Sequence, residues 1–329
     1  MKAIVLTNYG APDVLQLQEI AKPTPKEGEV LIKVRATTVT AGDGEIRNLK
    51  FSIWLAIPIR LWLGFIKPRD GIILGQELAG EVVAVGKNVR KFNVGDQVFG
   101  GTGLHFGAYA EYVCLPESEV LATKPVNMTY EQAAAVPTGG FEAVHFLRKA
   151  AIQSGEKILI NGAGGSIGTF AVQLAKHFGA EVTAVDSAAK LTMLRSIGAD
   201  KVIDYTQEDF TQNGQTYDII FDVIGKSPFS RSLASLKQKG RYLIGNFSLS
   251  QMSRGLWASM TSSKKVIIGA AHQNLEDLIF LKNLIEAGEL KSVIDRQYPL
   301  AQVAEAHRYV DTGQKIGSVV ITVEHDDIP

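Results

Sequence analysis

Cysteine is almost missing from this chain: Cys114 is the only one in 329 residues. A single thiol excludes an intrachain disulfide and any structural zinc lobe built on four cysteines, and it fits a reducing compartment. Net charge is missing too, because Lys plus Arg and Asp plus Glu both total 34. The basic excess or stripe of a nucleic-acid binder is therefore not seen in the composition. Long apolar runs are also lacking. The most apolar window, residues 51–66, is broken by Pro58 and Arg60, and it falls short of the ~20 residues a membrane-spanning helix needs. The run at residues 1–6 is too short for a secretory signal and stops at Asn8-Tyr9-Gly10. The expected location is the cytoplasm.

What is present is an ordinary globular composition, 46% hydrophobic and 21% charged, with length enough for two domains of roughly 100–200 residues each. The first third reads as short strands and turns, with strands predicted at 29–36, 81–86, 95–100 and 108–113. From residue 157 the pattern changes. Apolar runs at 157–161, 181–185, 201–204, 218–223, 241–245 and 266–269 alternate with helical stretches, as βαβ units of a parallel sheet do. Six strands make a full dinucleotide-binding sheet. A helix over 275–287 and a strand over 317–323 exceed that sheet's needs, which leaves open a return to the first domain. The fold class is α/β: a Rossmann doubly wound parallel sheet plus a mostly β domain. The expected division is 1–125 with 270–329 for the β domain and 126–269 for the Rossmann domain. Repeats, low-complexity tracts and charge blocks are not seen.

The sharpest local feature is Gly162-Ala163-Gly164-Gly165-Ser166-Ile167-Gly168. It follows the apolar run Ile158-Leu159-Ile160. It opens a stretch with Ile167, Phe170, Ala171, Leu174, Ala175 and Phe178 on one helical stripe. A strand, a glycine turn and a helix start aim backbone N–H groups and a positive dipole end at one place, where a pyrophosphate fits. A Cβ would block close backbone approach. An acid, Asp186, ends the second strand, as the dinucleotide fingerprint requires. The spacing Gly162-x-Gly164-x-x-x-Gly168 is one residue longer than the usual G-x-G-x-x-G.

The chain resembles the medium-chain dehydrogenase/reductase superfamily, and within it the zinc-free quinone oxidoreductase branch. Gly75-Gln76-Glu77-Leu78-Ala79-Gly80 is similar to the superfamily's G-H-E-x-x-G box, and Val94-Gly95-Asp96-Gln97-Val98 to its V-G-D-x-V turn. Residues 133–140 resemble the segment leading into the linking helix, and Gly198-Ala199-Asp200 with Val202-Ile203-Asp204-Tyr205 resembles the branch's G-A-D-x-V-I-D-Y. The resemblance implies a GroES-like first domain, a return of the C-terminus to it, and hydride transfer in a cleft between the domains. It also implies a homodimer, with the edge strand at 266–269 as a candidate seam.

Zinc members place a cysteine early in the first domain and a histidine in the G-H-E box. Here Thr40 and Gln76 stand at those positions, and neither is a competent zinc ligand. The six histidines, at 105, 145, 177, 272, 307 and 325, show no close ligand spacing. No metal site is therefore expected, and Thr40, Asp43 and Gln76 become the catalytic candidates. Turn capping is the competing role for these polar groups. Without a Lewis acid, an acceptor whose reduced oxyanion is delocalised is the suitable substrate.

For the cofactor, Asp186 lies 24 residues after Gly162, near the position of an acid that bonds the ribose hydroxyls of NAD(H). Lys190 and Tyr205 resemble the pair that meets the 2′-phosphate of NADP(H), and Ser187 can add a bond; the balance leans to NADP(H). Gly245-Asn246 resembles the branch's pair beside the nicotinamide. Val223 and Gly225, at the end of the fourth strand, and Thr138, in the linking segment, complete the candidate cofactor set.

The segment 51–68 is unusually apolar for a connection, with Trp54 and Trp62 beside Arg60 and Lys67. It reads as a lid for hydrophobic substrates, an internal or dimer interface, or an edge resting on a membrane. The function implied is an NAD(P)H-dependent reductase of quinones, enones or related carbonyls. A zinc-independent alcohol or aldehyde dehydrogenase and a non-catalytic dinucleotide-binding redox sensor are the alternatives.

Overall fold

The computed structural model describes residues 1–49, 53–246 and 249–325. The chain forms two compact units: residues 1–138 with 273–286 and 292–329, and residues 139–272 with 287–291.

The second unit holds a six-stranded, all-parallel sheet. Its order across the sheet is Lys201–Asp204, Glu181–Asp186, Lys157–Asn161, Tyr217–Asp222, Leu236–Ile244 and Lys265–Ile268. In chain order this is 3-2-1-4-5-6, the doubly wound arrangement whose reversal lies between the first and fourth strands. The central strands are fully enclosed: Ile158, Leu159, Ile160, Ile219, Ile220 and Phe221 are all 0% exposed. A parallel strand covered on both faces must be apolar throughout, which is why these runs are readable. The fifth strand starts five residues before its predicted apolar run. Its first residues include exposed Gln238 and Lys239, so hydropathy does not mark them.

The first unit is built on a mostly antiparallel sheet. Its path runs Ile294–Pro299, Ser318–Thr322, Glu29–Thr38, Glu77–Val85, Gln97–Gly101, Leu121–Thr123, and Tyr112–Pro116 pairs with Glu29–Thr38. The late strand Ser318–Thr322 lies against Glu29–Thr38, with Val320 opposite Thr38. The C-terminal segment thus returns to the first unit's sheet. A predicted strand is displaced: pairing covers Tyr112–Pro116, which shares only Tyr112 and Val113 with the predicted 108–113. Residues 108–111 instead bond to three different segments. Tyr109 N donates to Leu74 O at 3.0 Å, Glu111 N to Lys2 O at 3.0 Å, and Val34 N to Glu111 O at 3.0 Å. No single partner strand can set a regular ladder there.

The helix Ala41–Asn48 is fixed by its start. Thr40 is the N-cap, and Thr40 and Asp43 form a reciprocal capping box. No described helix is long and apolar enough to cross a membrane. Part of the apolar segment, Ile53–Leu63, is helical, whereas Phe51, Ser52 and the side chain of Trp54 lie outside the described residues.

Candidate functional site

The sequence candidates fall into two groups, one in each unit. In the first unit, the helix start and the Gly75 box bring Thr40, Asp43 and Gln76 together. Thr40 Oγ1 donates to Asp43 Oδ2 at 2.7 Å and accepts from Asp43 N at 3.1 Å. Asp43 Oδ2 also accepts from Thr40 N at 3.0 Å, and Oδ1 accepts from Gly75 N at 3.1 Å. Asp43 is fully buried. Burial pushes its pKa up, and the bonds from Thr40 and Gly75 pull against that rise. Its oxygens are therefore occupied in tying the helix start to the Gly75 box. Gln76 is different. It is half-buried, and its amide nitrogen lies 2.5 Å from where a Cβ on residue 42 would stand, so a side chain there would displace the amide. Among the described residues the Gln76 amide has no hydrogen-bond partner.

Around these three is a polar network that motif spacing did not reveal. Glu77, 3% exposed, accepts from the Thr38 hydroxyl on Oε1 and from Thr138 N at 2.6 Å on Oε2. Burial raises its pKa from 4.5 to about 7. Tyr109, fully enclosed, donates to Thr38 O at 3.2 Å and meets His307 Nε2 at 3.2 Å. His307 Nδ1 lies 2.8 Å from Arg47 Nη1. A guanidinium only donates, so Nδ1 accepts and the ring proton sits on Nε2, aimed at the Tyr109 hydroxyl. Burial, then the Arg47 charge, lower the His307 pKa to about 3; this histidine is a neutral core group. Arg47 is itself 0% exposed and also bonds Asp311 at 2.6 Å and Gly10 O at 3.0 Å. Among the described residues no three His, Cys, Asp or Glu side chains converge as a metal site would require.

Among the described residues of this unit, one buried side-chain atom is left over. Thr138 Oγ1 is buried and makes no well-formed hydrogen bond, although it lies close enough to the Glu77 carboxylate, which holds its backbone N–H, to help stabilise that charge. A buried hydroxyl with no well-formed bond calls for a ligand atom or water.

In the second unit the glycine loop follows the first strand and the helix Ser166–His177 follows the loop. Gly162 takes the left-handed φ of 82° that turns the chain. The loop's own amides face inward: Gly162 N and Ala163 N donate to Val185 O, and Gly164 N donates to Asp186 Oδ2 at 2.8 Å. The first intrahelical bond runs from Thr169 N to Gly165 O at 2.9 Å. An anion at this loop would therefore be met by the helix's first turn, Ser166, Ile167 and Gly168. Gly165, the N-cap, offers no side-chain cap.

The two end glycines have opposite surroundings. A Cβ on Gly168 would stand 2.5 Å from Ala163 Cα and from the Gly162 and Ala163 carbonyl oxygens. A Cβ on Gly165 would meet only Gly162 O, at 3.8 Å, and its φ of −88° suits any residue. Neither conformation nor packing requires glycine at 165. What remains is the open cradle beside the helix start, and that space fits a dinucleotide pyrophosphate.

Asp186 does not stand open as a ribose-binding acid would. Oδ2 takes Gly164 N, Oδ1 takes Ser187 N at 2.8 Å, and Lys190 Nζ lies 3.2 Å from Oδ1. Both side chains are under 10% exposed. Asp204 pairs beside Asp186 across the sheet, and Tyr205 N donates to Asp186 O at 3.2 Å. Ser187, Lys190 and exposed Tyr205 thus gather at one strand edge. Val223, Gly225, Gly245 and Asn246 gather at another: a Cβ on Gly225 would collide with Asn246 O, and one on Gly245 would stand 3.2 Å from Val223 O.

Comparisons with known proteins identify the family. Residues 26–125 match the model described as alcohol dehydrogenase GroES-like domain, and residues 197–321 the one described as zinc-binding dehydrogenase. A 2-methylene-furan-3-one reductase of Solanum lycopersicum is 34% identical over 98% of this chain and 79% of its own length. An NADPH-dependent alkenal/one oxidoreductase, chloroplastic, of Arabidopsis thaliana has the same identity and coverage. The solved quinone oxidoreductase of Coxiella burnetii superposes with a TM-score of 0.87 at 29% identity, over 98% of this chain and 99% of that one. The chain belongs to the medium-chain dehydrogenase/reductase superfamily, in its quinone-oxidoreductase-like branch.

This dehydrogenase/reductase is an oxidoreductase, and its Rossmann unit is of the nicotinamide-binding kind. Its sheet also carries a buried hub that sequence reasoning passed over. Asp222, 0% exposed, accepts from Asn161 Nδ2 at 2.9 Å, Gly225 N at 3.0 Å, Ser227 N at 3.0 Å and Tyr242 OH at 3.2 Å. It ties the ends of the first, fourth and fifth strands into one edge. The only trace in the sequence is a polar residue closing each apolar run, Asn161 and Asp222.

Proposed function

We propose that this enzyme is an NADPH-dependent reductase of quinones, enones or related small hydrophobic carbonyls, and that it works without zinc. The observation that carries the reading is the setting of Gln76. At the place of the superfamily's histidine ligand stands an amide against Gly42, beside a threonine whose hydroxyl is already bound to Asp43. That set offers hydrogen-bond donors and no soft metal ligand.

The cofactor residues we propose are Thr138, Gly162, Gly164, Gly165, Ser166, Ile167, Gly168, Asp186, Ser187, Lys190, Tyr205, Val223, Gly225, Gly245 and Asn246. Bound there, the dinucleotide supplies a hydride. The chain's part is to hold and orient. The first turn at Ser166–Gly168 receives the pyrophosphate, and the Thr138 hydroxyl, which makes no well-formed bond in the fold, supplies one to the cofactor. The Gln76 amide donates to the acceptor's oxygen as charge develops on it, with Thr40 and Asp43 keeping the box in place. For a quinone or enone that charge is delocalised, so hydrogen bonding and alignment suffice. A panel of quinones, enones and aldehydes run with NADPH and NADH tests this: turnover of the first two classes in a chelator is expected. Tight cofactor binding without turnover on any acceptor, or turnover that appears only with added zinc, would refute it.

The preference for NADPH rests on Lys190. Its ammonium sits on the Asp186 carboxylate, cancelling the charge that would repel a 2′-phosphate and offering donors to it. Lys190→Met, which keeps the stem's volume, should lower the NADPH-over-NADH preference in kcat/KM by about tenfold or more, the worth of one charge-assisted hydrogen bond. An unchanged ratio would remove Lys190 from the site.

We further propose a cytoplasmic homodimer. The strand Lys265–Ile268 ends the parallel sheet with an open edge. The adjoining helix Leu249–Thr261 leaves Leu256, Trp257 and Met260 at least 66% exposed. Trp257→Lys should convert the dimer to monomer in sedimentation velocity; a monomeric parent protein would contradict the proposal.

A further inference from the structure

The end of the helix Ile53–Leu63 and the turn after it form an outward apolar face that neither the fold nor the proposed reaction uses. Leu63, 2% exposed, and Pro68 turn inward and Ile59 packs on the core, whereas Leu61, Phe65, Ile66 and Leu104 are 64%, 58%, 88% and 75% exposed. The face is continuous, because Trp62 packs on Phe106 at 5.4 Å between ring centroids and shares a cavity of about 360 Å³ with Leu104. It is also held firmly. Tyr9 OH donates to Gly64 O at 2.8 Å, Arg69 N to Leu63 O at 2.7 Å, and Arg69 Nη2 to Leu61 O at 3.1 Å.

The segment that carries this face is net positive, with Lys67 paired to Asp70 at 3.8 Å. From residue 53 to residue 76 the only acid is Asp70, against Arg60, Lys67 and Arg69. The Arg60 guanidinium bonds Phe65 O and lies over the Phe65 ring, so a cation is fixed beside the most exposed apolar groups. We propose that this face docks on the surface of a bilayer containing anionic lipid, with Leu61, Phe65, Ile66 and Leu104 entering the headgroup boundary. Such a combination of large apolar groups, an interfacial tryptophan and cations is that of interfacial segments. Charge decides against a second copy as the occupant. In a two-fold contact the face would meet itself, setting the cations of one copy against those of the other, whereas anionic headgroups complement them.

The test uses the full chain in co-sedimentation with phosphatidylcholine vesicles, and with vesicles in which phosphatidylglycerol replaces part of that lipid. Binding to the mixed vesicles, weakened by added salt, is expected. The triple variant Leu61→Glu, Phe65→Glu, Ile66→Glu should bind at least about tenfold more weakly, since each loses its burial in the bilayer. Its thermal unfolding and dinucleotide binding, read in parallel, should match the parent's because the three groups are exposed. No binding to either vesicle, or equal binding by the triple variant, would overturn the proposal. So would a triple variant that sediments as a smaller species, which would make the face a contact between copies.

Discussion

Gly165→Asp is expected to weaken dinucleotide binding by more than about a hundredfold while the folded chain keeps its thermal stability. The two effects separate because position 165 is open. Its φ of −88° and ψ of 178° are ordinary extended values, and a Cβ meets nothing closer than 3.8 Å. As N-cap of Ser166–His177, an aspartate can accept from the first turn, so stability should change by about a few tenths of a kcal/mol at most. Its carboxylate would stand where a pyrophosphate is expected, and like charges brought together cost several kcal/mol. Gly168→Ala should instead cost stability. The added methyl collides with the backbone of residues 162 and 163, and overpacking of that kind costs about 1–3 kcal/mol. Calorimetric titration with NADPH, paired with thermal unfolding, reads both. A Gly165→Asp chain that binds NADPH normally would show that the cofactor does not use this helix start.

Those two glycines look alike in the sequence and differ only in what the fold packs against them, which marks where sequence reading stops. The parallel sheet was legible because burial on both faces leaves continuous apolar runs such as Ile158-Leu159-Ile160 and Ile219-Ile220-Phe221. The helix Ala41–Asn48 was not, since Gly42 and Gly44 are poor helix formers. Its signature, Thr40 followed three residues later by Asp43, is a capping box, the role that competes with cleft chemistry for these two residues. Asp186 was legible as an acid in the right place. Its bonds to Gly164 N and Lys190 were not, because they depend on how the loop folds back onto the second strand. Glu77 sat inside a readable motif, yet its partner Thr138 is 61 residues away. Tyr109, His307 and Arg47 come from three separate segments and have no shared pattern at all.

Glu77 carries the second large effect, which is one of pH. Its folded pKa of about 7 lies above the ordinary 4.5, with burial as the main cause and nearby Asp43 adding to it. Between those values the folded chain holds a proton that the unfolded chain releases, so stability falls as pH rises from about 4.5 to about 7. The size is about 3 kcal/mol for a shift of this kind. Both hydrogen bonds survive in either state: Oε2 must accept from Thr138 N, while Oε1 can accept from the Thr38 hydroxyl or, protonated, donate to it. Glutamine reproduces the protonated arrangement, with its oxygen towards Thr138 N and its amide nitrogen towards Thr38. Glu77→Gln should therefore equal the parent near pH 5 and exceed it by up to about 3 kcal/mol near pH 8, in urea unfolding at each pH. A smaller slope should persist, because burial also raises the Asp43 pKa. Glu77→Ala should be weaker than the parent at both pH values, since two buried donors lose their acceptor at about 1–3 kcal/mol each. Parallel slopes for the parent and Glu77→Gln would show that Glu77 is ionised throughout. If the slopes differ as expected, the group that anchors Thr138, and with it the hydroxyl proposed for the cofactor, is a neutral acid below pH 7.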